Sequence, residues 1–117
     1  MSDTVVDLQT AAMRLRTRLA AVERTIADQR AIADDITTSR GDASDDEHDP
    51  EGATLAWERA QAEGLATAAE AERAQLLAAL ERVDAGTYGM CEVCGTAIPD
   101  GRLEVRPFTT RCVLHAN

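Results

Sequence analysis

Four residues near the end of the chain constrain its fold more than any others: Cys91, Cys94, Cys112 and His115. They form the pattern C-x2-C, then seventeen residues, then C-x2-H, and they include all three cysteines and one of the two histidines. Two short knuckles of this kind are the usual way to place four ligands around a tetrahedral zinc ion. Gly95 allows the tight turn that directs backbone N–H groups at the sulfurs. The spacing therefore predicts one structural zinc with no open coordination position.

The alternative for the three cysteines is one disulfide bond and a spare thiol. The odd cysteine count, the nearby histidine and the lack of a secretion signal weigh against it. No run approaches the ~18 apolar residues of a membrane-spanning helix. We therefore expect no membrane span, and reduced, metal-binding cysteines indicate a cytoplasmic protein.

The composition limits the size of the core and the kinds of partner. A chain of 117 residues has room for one compact domain, or for one long hairpin with a small appendage. Only three residues are aromatic, which suits thin helix–helix packing better than a large globular core. The net charge of -9 argues against direct binding of DNA or RNA, because clustered cations drive phosphate binding.

Two segments carry apolar residues at the spacing of a coiled coil. In the first, the residues follow one another mostly in steps of three and four: Val5, Leu8, Ala12, Leu15, Leu19, Val22, Ile26, Ala33 and Ile36. In the second, five residues are each seven apart, and two more fill the positions between them: Leu55, Ala62, Ala69, Leu76 and Val83, with Leu65 and Ala79. Both segments are therefore predicted to be helices with one apolar stripe.

Capping residues predict where these helices begin and end. A cap among residues 2–4 suits the start of the first helix, and Gly41 suits its end. The run Asp49-Pro50-Glu51 offers a cap, a proline in the first turn and an acid favoured by the helix dipole. Gly86 is expected to close the second helix.

Two helices of similar length joined by a short polar connection predict an antiparallel coiled-coil hairpin. We expect a mostly α-helical fold with this hairpin over residues 1–86 and a small Cys3His zinc-finger module over residues 87–117. Each arm of ~35 residues would be about 50 Å long. The alternative is a coiled coil that dimerises through the same stripe; the short connection favours pairing within one chain, and hence a monomer.

The connection between the helices, residues 41–52, is strongly acidic. Its acidic residues are Asp42, Asp45, Asp46, Glu47, Asp49 and Glu51, and it contains no arginine. Such a run is often only a solvated loop. At the far end of a narrow hairpin, however, it would carry concentrated negative charge to a basic or metal-containing pocket. Trp57, on the outward face near this tip, is either an anchor for a partner or local packing over the loop.

The sequence around the predicted zinc site contains the run from Gly86 to Gly95, GTYGMCEVCG, and a few characteristic residues beyond it: Ile98-Pro99, Arg102-Leu103, Arg106-Pro107 and Cys112. Together these residues resemble the zinc finger of the DksA/TraR family of bacterial transcription regulators. The resemblance covers about the last 32 residues. The family has a fourth cysteine where this sequence has His115, and a Cys3His set still suits zinc.

The resemblance implies a regulator that inserts its hairpin, acidic tip first, into the secondary channel of bacterial RNA polymerase and modulates initiation. The family's tip motif, D-x-x-D-x-A, aligns with His48, Glu51 and Ala53, or in a shifted register with Asp46 and Asp49. The tip residues expected to contact the polymerase are Asp45, Asp46, Asp49, Glu51, Ala53 and Trp57.

Some family members bind the alarmone ppGpp, and Arg106 matches one position of that site. Two other positions, basic in the family, are Gln75 and Ala116 here. No nucleophile–base pair or phosphate loop is recognisable, so we expect no enzymatic activity. The competing hypotheses are a zinc-stabilised adaptor for another partner and a thiol-based redox switch.

Overall fold

The computed structural model describes residues 5–42 and 50–116, without the side chains of residues 39–42 and 50. Over these residues it contains helices α1 (Leu8–Asp42), α2 (Pro50–Ala85) and α3 (Asp100–Val105), and a 3-10 turn (Val113–His115). The only strand-like pairings in the described ranges are two isolated antiparallel bridges. The predicted fold is confirmed: it is mostly α-helical, with two long antiparallel helices and a small cysteine-containing finger.

Helix α1 begins at Leu8, later than the predicted start after residues 2–4. Asp7 caps it: its carboxylate accepts hydrogen bonds from the Thr10 hydroxyl at 2.8 Å and from the Gln9 N–H at 3.3 Å. The bond from Thr10 is the main reason that the pKa of Asp7 lies below its ordinary value. The helix starts late because Val5, assigned to its apolar stripe by the sequence, instead forms an antiparallel bridge with Pro99.

Helix α2 ends as the sequence predicts, at a glycine. Gly86 has a φ of 78°, a conformation that glycine adopts without strain. Its N–H donates to the carbonyl of Val83 at 3.1 Å, and the N–H of Thr87 donates to the carbonyl of Arg82 at 2.9 Å. This pair of bonds is a Schellman motif, which satisfies the last carbonyls of the helix and turns the chain into the finger.

The chain divides into two compact units. The finger unit comprises Met1–Ala20 and Ala74–Asn117, and the hairpin unit comprises Ala21–Arg73. The finger therefore shares its unit with the ends of α1 and α2, whereas the domain boundary after residue 86 stays a prediction.

Ion pairs connect α1 and α2 within the hairpin unit. Arg30 Nη2 lies 2.8 Å from Glu70 Oε1, and Arg73 Nε lies 3.0 Å from Glu23 Oε2. Glu23 on α1 pairs with Arg73 on α2, whereas Arg30, later on α1, pairs with Glu70, earlier on α2. The two helices therefore run antiparallel. Both pairs are about half exposed, and such pairs stabilise a fold only slightly, by roughly 0.2–1 kcal/mol each.

Over the described residues, the apolar core is larger in the finger unit than in the hairpin unit. The four largest fully buried side chains all belong to the finger unit: Leu15, Leu76, Ile98 and Leu103. In the hairpin unit the buried residues are mostly alanine: Val22, Ala33, Ile36, Ala62, Ala66 and Ala69. Leu65, predicted as a core position, is exposed, and Ala66 is buried in its place. Leu65 lies three residues after Ala62 and four before Ala69, so helical periodicity allows either Leu65 or Ala66 beside these two alanines. The structure buries Ala66.

Candidate metal centre

The four predicted ligands come together in the finger unit. The Sγ atoms of Cys94 and Cys112 lie 3.8 Å apart. The Nδ1 atom of His115 lies 3.8 Å from Sγ of Cys91 and 3.3 Å from Sγ of Cys112. All four ligand atoms fall within 4.8 Å of one another. Ligands bound about 2.0–2.3 Å from one tetrahedral zinc ion lie roughly 3.3–3.8 Å apart, so the cluster has the spacing that zinc requires.

All three cysteines are free thiols. The 3.8 Å between the Cys94 and Cys112 sulfurs is far longer than the ~2.05 Å of a disulfide bond, so the alternative of one disulfide and a spare thiol does not hold. Three thiolates and one imidazole complete a tetrahedral set, which is typical of structural rather than catalytic zinc. The prediction of a single structural zinc is confirmed.

The first knuckle is a tight turn built on Gly95. Its φ of 74° lets its N–H donate to the carbonyl of Cys91 at 2.9 Å. The N–H of Val93 lies 3.4 Å from Sγ of Cys91, and the Thr96 hydroxyl lies 2.9 Å from Sγ of Cys94. Donors of this kind stabilise the thiolate form that binds a metal.

The thiols of the site differ in how readily they ionise. Backbone N–H groups, that of Cys112 first and then those of Cys94 and Val93, lower the pKa of Cys91 to about 5. Burial instead raises the pKa of Cys112 above its ordinary value. Metal binding requires the thiolate form of each cysteine ligand, and the positive charge of a bound ion favours that form.

The second knuckle is the 3-10 turn that follows Cys112. The N–H of His115 donates to the carbonyl of Cys112 at 3.0 Å. This single turn brings the imidazole back beside the sulfur, with Nδ1 facing the other ligands. A spacing of two intervening residues therefore works for histidine as it does for cysteine.

Hydrogen bonds that do not involve the metal connect the two knuckles. The N–H of Glu92 donates to the carbonyl of Thr110 at 2.8 Å, and Nε of Arg111 donates to Oε2 of Glu92 at 2.8 Å. The bond from Arg111 is the main cause of the lowered pKa of Glu92. These bonds keep the ligand pairs in register with each other.

Gly89 and Tyr88 pack the finger onto the rest of its unit. Tyr88 is buried, and its hydroxyl donates to the carbonyl of Pro107 at 2.9 Å. Gly89 has a φ of 83°, and a Cβ atom on it would lie 2.8 Å from Val6 Cγ1 and 3.3 Å from Leu103 Cδ1. The segment before α1 therefore lies against the finger at a point where only glycine fits.

An ion pair between α1 and α3 adds to this support. Nη2 of Arg14 lies 2.7 Å from Oδ1 of Asp100, and its Nη1 lies 3.7 Å from Glu104. The hydrogen bond to Asp100 is the main cause of the raised pKa of Arg14. The pair is not predictable from the sequence, because nothing in a helical arginine indicates which distant carboxylate it will meet.

An open groove of about 330 Å³ beside the zinc ligands was also missed from the sequence. Its lining is largely apolar: Val93, Arg111, Val113, Leu114, His115 and Ala116. The available signal was the apolar residues between and beside the ligands, Val93 in one knuckle and Val113 and Leu114 in the other.

The predicted tip is described only in part. Asp45, Asp46 and Asp49 lie outside the described residues, as does His48. Glu51 and Ala53 are exposed on the first turns of α2, and the side chain of Trp57 is 65% exposed. Trp57 thus has the exposure that a partner anchor needs, and its contact with the polymerase stays a prediction.

The predicted alarmone contact, Arg106, is exposed and follows the last residue of α3. Gln75 and Ala116 are exposed as well. Ala116 lines the groove beside the zinc ligands. Binding of ppGpp stays a prediction.

Comparison with known proteins agrees with this geometry. Residues 86–113 match the family model of the prokaryotic dksA/traR C4-type zinc finger. The match ends before His115, the residue at which this finger departs from a four-cysteine set. An uncharacterised protein of Aquifex aeolicus (strain VF5) is 53% identical over 34 residues, which are 29% of this chain and 23% of that protein. The chain therefore matches only about a quarter of the length of this relative.

The fold has a solved counterpart. The structure of transcription factor DksA2 from Pseudomonas aeruginosa is similar with a TM-score of 0.76 over 92% of this chain and 78% of that chain. The sequence identity is 23%, so the similarity concerns the fold. None of the helices, over the residues described, has the length and apolar character needed to cross a membrane.

Proposed function

We propose that the chain is a transcription regulator of the DksA/TraR family that acts by binding bacterial RNA polymerase. The observation that supports this most is the combination of a dksA/traR zinc finger with a fold similar to that of DksA2. Neither element alone is as informative, because zinc fingers and helical hairpins each occur with many functions.

In this proposal the hairpin enters the secondary channel of the polymerase with its acidic connection leading. Carboxylates at residues 45–51 would approach the catalytic magnesium ion and the mobile elements around it, and so modulate initiation. Exposed Trp57 would contact the channel wall near the tip, because large exposed aromatic side chains often anchor a complex.

The zinc centre would hold the finger in shape and take no part in chemistry. Its four protein ligands leave no position for a water molecule or a substrate. We therefore propose that the protein is not an enzyme. It would act as a monomer in the cytoplasm, where the polymerase is found and thiol ligands stay reduced.

Direct binding to DNA or RNA is not part of the proposal. With a net charge of -9, the release of counterions from nucleic acid would not favour a complex. We expect no gel shift of duplex DNA at micromolar protein in the absence of polymerase. A sub-micromolar shift would show that the partner assignment is wrong.

Affinity purification from the native cell tests the proposed partner. A tagged chain should recover the polymerase core subunits in amounts that survive nuclease treatment. Recovery of a different protein with no polymerase would favour the adaptor hypothesis. Loss of zinc under mild oxidant, with a change in the recovered partner, would favour the thiol switch.

A further inference from the structure

The net negative charge of this protein comes from one of its two units. The hairpin unit, Ala21–Arg73, contains fourteen acidic and five basic residues and has a net charge of -9. The finger unit contains seven of each and is neutral. The net charge of the whole chain is therefore the charge of the hairpin unit.

The charged unit is also the one with little apolar core. Four of its six buried apolar residues in the described part are alanine, and the four largest fully buried side chains all lie in the other unit. Alanine contributes far less apolar area than leucine or isoleucine, so burial holds α1 and α2 together weakly here.

Ion pairs between the helices do not compensate for the weak core. The two pairs Arg30–Glu70 and Arg73–Glu23 are half exposed, and pairs of this kind contribute little. Against them stand exposed carboxylates with no ion pair in the described part of the chain, among them Asp28, Asp34 and Asp35 on α1. Like charges on paired helices repel one another at low ionic strength, where the screening length is about 30 Å at 0.01 M.

We propose that the hairpin unit opens as a separate cooperative unit, and that its own negative charge sets how often it opens. Screening or neutralising this charge tightens the pairing of α1 and α2, while the neutral finger unit does not respond. The hairpin would therefore become stiffer when it enters a cationic environment. This response requires only positive charge and does not depend on the identity of the partner.

Hydrogen exchange of the zinc-loaded, full-length protein tests this proposal, because exchange of backbone amides reports local opening. Amides in residues 21–38 and 51–73 should gain about three- to tenfold in protection between roughly 0.01 M and 0.3 M NaCl. Amides in residues 8–20 and 74–85 should change by less than about twofold and serve as the internal control.

Two charge variants separate repulsion from other effects of salt. The triple variant Asp28→Asn, Asp34→Asn, Asp35→Asn removes three negative charges at exposed positions, with little change in helix propensity. It should raise protection in the hairpin unit at low salt and reduce the response to salt. Arg24→Gln removes an exposed cation from the same helix and should do the opposite.

Three results would each contradict the proposal. Protection in the hairpin unit that falls as salt rises would show that the ion pairs outweigh the repulsion. Equal changes in both units would show that the chain opens as one unit. Variants that leave protection unchanged at low salt would show that charge does not control the opening.

Discussion

His115 faces Cys112 across the metal site, with its Nδ1 atom 3.3 Å from the cysteine sulfur. The matching family model is of the C4 type, whereas the fourth ligand here is a histidine, and the short turn after Cys112 directs its ring nitrogen at the other ligands. The finger is therefore complete as a Cys3His site, and each ligand is open to a specific test.

Removal of a cysteine ligand should release the zinc. A structural zinc ion contributes on the order of 10 kcal/mol to the folding of its segment. We expect Cys94→Ser to lose its zinc and to unfold the chain after Gly86, while circular dichroism shows that the helices partly remain. Metal analysis that finds much less than one zinc per chain in the fresh wild-type protein would contradict the account.

The effect of replacing His115 on zinc retention should depend on the chemistry of the new side chain. His115→Cys supplies a thiolate in place of the imidazole and should keep one zinc per chain. His115→Ala leaves three ligands and should release zinc to a chelator much faster. Equal zinc retention by His115→Ala and the wild type would show that the histidine is not a ligand.

A side chain at Gly89 should destabilise the finger unit. Its positive φ disfavours any other residue, and the added Cβ would lie only 2.8 Å from Val6. Strain and overpacking together should lower the free energy of unfolding by about 2–4 kcal/mol in Gly89→Ala. Gly86→Ala is the matched control, since its φ is also positive but nothing lies within 4 Å. Thermal melts should show a clearly smaller loss for the control, and equal losses would mean that the contact with Val6 does not matter.

The pair Arg14–Asp100 should stabilise the finger unit modestly. Both side chains are about one-third exposed, so solvent screens the pair and Arg14→Gln should cost roughly 0.5–1 kcal/mol. Arg16→Gln removes an exposed arginine two residues further along α1 and should have almost no effect on the free energy of unfolding. A double-mutant cycle with Asp100→Asn measures the coupling, and a coupling of zero would show that the pair contributes nothing.

The acidic tip should affect transcription more than binding. Charges at the edge of an interface mainly tune association and local electrostatics, whereas packed contacts hold a complex together. A variant with Asp45, Asp46, Asp49 and Glu51 changed to their amides should bind polymerase within roughly tenfold of the wild type. Its effect on open-complex lifetime should largely disappear. Unchanged promoter activity together with intact binding would leave the tip as a solvated loop.

The zinc ligands could be predicted from the sequence because their geometry is local. Within each knuckle the two ligands are separated by only two residues, so the spacing alone predicts a tight turn that brings both side chains to one metal ion. The end of α2 at Gly86 was predictable for the same reason, since a positive φ at the end of a helix favours glycine.

What the sequence did not predict depends on contacts between distant segments. The late start of α1 follows from the bridge between Val5 and Pro99, more than ninety positions apart. The exposure of Leu65 follows from which face of α2 meets α1, and heptad spacing leaves a choice between neighbouring positions. The partner of Arg14 lies on another helix, and helical periodicity does not identify it.

Competition for core RNA polymerase tests the central claim most directly. The purified, zinc-loaded protein should displace a labelled protein known to occupy the secondary channel, in a saturable manner, and Cys94→Ser should not. If the wild-type protein binds core polymerase without displacing the labelled factor, the proposed insertion into the channel is wrong. If it does not bind core polymerase at all, the proposed function is wrong.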